Sequence, residues 1–92
     1  MKNENAYHVM AKNFGRAFTI KTRCEVDATY CPNTGTIKFT TLASDSTFCD
    51  AVDYVLSVEF RSIPEDCFRF EPETILRSGE DGQIATHVYR VR

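Results

Sequence analysis

The chain has 92 residues, 42% of them hydrophobic and 26% charged, with a formal net charge of −2. That is enough for one globular domain and too little for two, so a single domain over residues 1–92 is expected. No apolar run approaches the roughly 20 residues of a membrane span. The opening "MKNENAYHVM" lacks the apolar stretch of a secretory signal, which points to a cytosolic protein.

The segment 5–14 reads two ways. As a strand, Tyr7, Val9 and Ala11 alternate with Ala6, His8 and Met10. As a helix, Ala6, Tyr7, Met10, Ala11 and Phe14 form one stripe, and Gly15 stands where a helix C-terminal glycine belongs. We take the strand, because it leads by a hairpin into the next element. Phe14, in "KNFGR", then stands at the tip of a turn as an exposed aromatic anchor.

From Ala17 to Cys31 the pattern alternates. Phe18, Ile20, Thr22, Cys24, Val26, Ala28 and Tyr30 fall on one side, and Lys21, Arg23, Glu25 and Asp27 on the other. This predicts a long antiparallel strand with one wet face. "CPNTG" is turn chemistry, and "TIKFTTL" alternates again, so the two runs predict a hairpin.

The period changes in "SDSTFCDAVDYVLSVEFRSIP". Phe48, Val52, Val55 and Leu56 follow helical spacing, Ser44 to Ser46 offer cap oxygens, and Pro64 marks a stop. A helix is expected from about Ser46 to Arg61. "CFRFEPETILRS" reads as one or two strands broken near Pro72, "GEDG" as a turn, and "QIATHVYRVR" as a closing strand. The expected fold is α+β, in the order β-β-β-α-β-β: an antiparallel sheet of four to six strands with one amphipathic helix on one face.

The sequence lacks the spacings of known reactive sites. His8 and His87 belong to no nucleophile motif, and both are expected to be partly exposed on strands. No glycine-rich phosphate loop occurs. The four cysteines, Cys24, Cys31, Cys49 and Cys67, include no close pair of the C-x-x-C kind that would seat zinc. They are expected to be buried thiols that behave as small hydrophobes. Glu65, Asp66, Glu71 and Glu73 crowd one region and are read as solvated. The expectation is a protein without catalytic activity, metal, cofactor or small-molecule substrate.

Charge is unevenly distributed. Residues 1–43 hold six cations against three acids, residues 44–82 three arginines against ten acids, and the last ten residues two arginines. Lys12, Arg16, Lys21, Arg23 and Lys38 are expected to form a cationic strip that attracts phosphates. Asp50, Asp53 and Glu59 are expected to meet lysine or arginine of a protein partner, with Phe14 as a buried anchor. A free nucleic-acid binder is normally basic overall, so a two-signed protein suits a ribonucleoprotein partner better.

Over its whole length, from "MKNENAYHVMAKNFGRAFTIKTRCEV" to "THVYRVR", the chain resembles phage-encoded anti-CRISPR proteins. Within that group it looks like the small inhibitors of the type I-F surveillance (Csy) complex. The resemblance implies a non-enzymatic protein in the cytoplasm of an infected bacterium. It implies binding to Cas proteins and their crRNA, in competition with target DNA, by occupying the DNA groove or by blocking crRNA–DNA hybridisation. The alternative is a small phage or host regulator that binds nucleic acid directly.

Overall fold

The computed structural model describes residues 4–59 and 70–91, with side chains over 7–57 and 71–91. Its first element is a helix, α1 (Glu4–Thr22). Tyr7, Ala11, Phe14, Phe18 and Thr22 recur at intervals of three and four, and so share one side of the helix. Phe14 and Phe18 on that side are fully buried. This overturns the expected strand over residues 5–14 and shortens the expected long strand from Ala17–Cys31 to Val26–Cys31. Phe14 is core, not the tip of a turn.

The alternation from Ala17 to Cys24 misleads because Phe18 and Thr22 satisfy both periods. Ile20 tells them apart: it shares their side in a strand, yet it is 78% exposed on the helix. The helix ends without the usual glycine. Arg23 adopts a positive φ of 61° and donates its amide to the Thr19 carbonyl at 2.9 Å. The Thr22 hydroxyl donates to the Phe18 carbonyl at 2.7 Å and accepts from the Cys24 amide at 3.2 Å. Side-chain bonds of this type satisfy end groups that a helix leaves without partners.

The expected hairpin forms. β1 (Val26–Cys31) pairs antiparallel with β2 (Thr36–Thr41), with Cys31 opposite Thr36. Gly35 takes a φ of 66° in the connecting turn and donates its amide to the Cys31 carbonyl. A positive φ is the left-handed conformation that glycine adopts at no steric cost.

α2 (Asp45–Tyr54) starts where the sequence places it. The Ser44 hydroxyl accepts from the Thr47 amide, and Phe48, Ala51 and Val52 are buried. A π-helical turn, Val55–Glu59, continues it. The expected run through Arg61 to a stop at Pro64 lies outside the described residues, as does Cys67.

β3 (Phe70–Ser78) carries a register shift between Pro72 and Thr74, near the break read from the sequence. After the "GEDG" turn, β4 (Ile84–Val91) closes the sheet. The observed order is α-β-β-α-β-β, with two helices and a four-stranded antiparallel sheet, not the expected β-β-β-α-β-β with one helix. Strand order is β1-β2-β4-β3.

Register defines the helix-facing side of the sheet. One row reads Ala28, Phe39, His87 and Ile75, and the next Tyr30, Ile37 and Tyr89. Phe18 meets Phe39 at 5.0 Å between ring centroids and Phe48 at 5.5 Å, and Phe39 meets Tyr89 at 5.8 Å. This aromatic junction locks both helices onto the sheet. Each such ring contributes about 1.5–3 kcal/mol by leaving water. No described helix is long and apolar enough to cross a membrane.

Candidate interaction surfaces

The five predicted cations do not form one strip. Lys12 and Arg16 lie four apart on the exposed side of α1, between Val9, 57% exposed, and Ile20. Lys21 turns the other way and sets its Nζ 3.5 Å from the centre of the Tyr54 ring on α2. Arg23 occupies the strained end of α1. Lys38 pairs with Thr29 and Val88 across the sheet, in a row that alternates with the helix-facing rows and so points to the opposite face. The expected strip needs Lys12 and Arg16 at a turn beside Lys21 and Arg23 on one strand face; placing residues 12–21 on a single helix rotates its members apart.

Lys12 and Arg16 do help to form a site. They line a groove of about 480 Å³ between α1 and β1, with Gly15, Thr19 and Ile20 from the helix and Glu25 and Asp27 from the strand side. One wall is cationic and the other anionic. None of the four charges makes an ion pair among the described residues.

The floor of this groove is sealed. A Cβ on Gly15 would stand 3.0 Å from the Ala28 Cβ and 3.3 Å from the Val26 carbonyl oxygen, so glycine lets α1 rest directly on the strand edge. The Thr19 hydroxyl accepts from the Val26 amide at 2.9 Å and lies against the Gly15 carbonyl at 2.8 Å. The helix thus covers an edge that would otherwise recruit another strand.

The acidic residues are better placed than the cations. Asp50 and Asp53, three apart on α2, both face solvent, on the side that also carries Ser46 and Ser57. Neither makes an ion pair among the described residues. Their charges reach neighbouring Cys49, an exposed thiol raised above its ordinary pKa first by partial desolvation and then by Asp45, Asp53 and Asp50. The side chain of Glu59, the third predicted acid, lies outside the described residues. Phe14 is fully buried and cannot be a contact residue.

Further residues correct the sequence reading. Cys24 and Cys31 are half-buried and Cys49 is exposed, so these three are not core thiols. The Cys31 thiol is held below its ordinary pKa, chiefly by hydrogen bonding with Thr34. His8 is exposed on α1, its ring 5.1 Å from that of Tyr30.

His87 was expected to be partly exposed and is buried, its ring stacked on Phe48 at 4.0 Å. Burial lowers its pKa. Its Nε2 faces Asp45 Oδ1 at 4.0 Å, and neither atom has a hydrogen-bond partner among the described residues. Asp45 pairs through its other oxygen with Arg77, whose hydrogen bond holds the carboxyl below its ordinary pKa. Sequence could not single out His87, because its alternation fits either face of β4. Glu73 pairs with Arg90 at 2.9 Å and is not simply solvated. No group of three or more histidine, cysteine or acidic side chains suited to a metal occurs among the described residues.

Comparison of the chain with protein-family models, with curated proteins and with solved structures finds no match.

Proposed function

We propose that the chain is a non-catalytic inhibitor of the crRNA-guided type I-F surveillance complex. It acts in the cytoplasm of the infected bacterium, where it docks on Cas subunits and keeps target DNA from binding or from pairing with the crRNA. The observation that carries this reading is the exposed pair Asp50 and Asp53 on α2, which makes no ion pair among the described residues. Two carboxylates about one turn apart, on a rigid helix, present fixed negative charge to a lysine- and arginine-lined groove. The resemblance of the whole chain to such inhibitors supplies the identity of the partner.

Dispersal of the cations bears on the mode of action. Only Lys12 and Arg16 share a face, and Glu25 and Asp27 stand across the groove from them. A phosphate backbone there would meet repulsion as well as attraction. The proposed contact is therefore with Cas protein rather than with crRNA, and direct binding to free nucleic acid is the weaker alternative.

The test is co-migration of the purified protein with the crRNA-loaded complex on a sizing column, alongside a DNA-cleavage assay. The wild type is expected to co-migrate and to suppress cleavage. Asp50→Lys/Asp53→Lys is expected to bind about tenfold or more weakly. Intact cleavage with no co-migration rejects the proposal. A gel shift on naked RNA or DNA separates the alternative, which requires tight binding there.

A further inference from the structure

We infer that the groove between α1 and β1 is a self-association surface whose occupant is α1 of a second copy of this chain. The groove carries Lys12 and Arg16 on its helical wall and Glu25 and Asp27 on its strand wall. A surface with one sign on each side complements itself across a two-fold axis, as an isologous contact requires. In that arrangement the exposed ridge of each α1 lies in the groove of the other copy. Lys12 and Arg16 of one copy meet Glu25 and Asp27 of its partner, and the same pairs recur on the other side of the axis.

Three observations favour this occupant. All four charges are exposed, and none has an ion-pair partner among the described residues. Val9 and Ile20, 57% and 78% exposed, flank the cations on the same ridge and give the contact an apolar part. Finally, α1 already lies against the β1 edge at Val26 and Ala28 and takes up the Val26 amide through Thr19, so the approach of an added strand is blocked there and a helix fits instead. The inference does not depend on the proposed inhibitor activity. The acidic side of α2 is separate from the groove lining.

A charge-swap experiment tests it. Sedimentation or light scattering of the wild type, at concentrations up to about 1 mM, is expected to show a monomer–dimer equilibrium that weakens with salt. Lys12→Glu/Arg16→Glu puts acids on both walls, and Glu25→Lys/Asp27→Lys puts bases on both. Each variant alone is expected to associate about tenfold or more weakly than wild type. An equal mixture is expected to form a heterodimer, because one variant's acids then face the other's bases at both contacts.

Ile20→Lys offers a single exposed change with the same expected loss, should a double variant fold poorly. Circular dichroism checks folding in each case. A wild type that stays monomeric overturns the inference. So do charge-reversed variants that associate like wild type, and folded monomeric variants that fail to pair when mixed.

Discussion

The two edges of the sheet are treated in opposite ways. At the β1 edge a whole helix lies on the strand, glycine removes the side chain that would hold it off, and a threonine hydroxyl takes up the Val26 amide. At the β3 edge the described side chains from Glu71 to Ser78 are all exposed, including Ile75 and Leu76. Pro72 and a register shift interrupt that strand, and Glu73 and Arg77 are tied by ion pairs to Arg90 and Asp45. Covering an edge and roughening it with proline, bulge and charge are both ways to refuse a stray strand. The difference lies in where stability resides: changes at the covered edge disturb the core, while changes at the rough edge disturb mainly the surface.

Phe14→Ala should break this contrast most severely. Phe14 is fully buried and stacks on Phe18 at 5.7 Å, so its loss should cost about 3–5 kcal/mol in chemical denaturation. A loss below about 1 kcal/mol would mean that α1 does not pack as described.

Gly15→Val tests the covered edge itself. The added atoms meet Ala28 and the Val26 carbonyl, and overpacking of this kind should cost about 1–3 kcal/mol. The matching change at the rough edge, Leu76→Ala, removes a side chain that is 52% exposed. It should shift stability by no more than about 0.5 kcal/mol. Equal losses at the two positions would erase the distinction between the edges.

A pH titration of thermal stability sharpens the comparison from inside. Burial lowers the pKa of His87 below its ordinary 6.5, so the unfolded chain takes up this proton more readily than the folded one. The stability associated with neutral His87 is complete above about 6.5 and is lost as pH falls from there through the lower folded-state pKa. Asp45, held low by Arg77, acts only in the more acidic window below its ordinary 3.8. The melting temperature should therefore decline below about pH 6.5, and His87→Gln should flatten that decline. A wild-type curve that is level down to pH 5 would show that His87 takes its proton in the folded state without penalty.

Residues whose signal is local were legible in the sequence. The turn at "CPNTG", the cap at Ser44, the apolar spacing of Phe48, Val52 and Val55, and the closing strand each depend on neighbours within a few positions. That Asp50 and Asp53 share one exposed side of a helix was legible for the same reason: three residues apart on a predicted helix puts them on one side wherever that helix lies.

The first quarter of the chain was not legible, because Phe18 and Thr22 satisfy the helical and the strand period alike. Choosing between them needed the strand against which Phe14 and Gly15 pack, a contact between residues more than ten positions apart. That one choice then scattered the cationic strip, buried Phe14 and created the two-signed groove. Short-range spacing and turn chemistry were enough to read the hairpin, the start of α2 and the closing strand straight from the residues. Which of the N-terminal charges share a face could not be read that way, since it depends on how α1 is rotated against the edge of β1, a long-range contact.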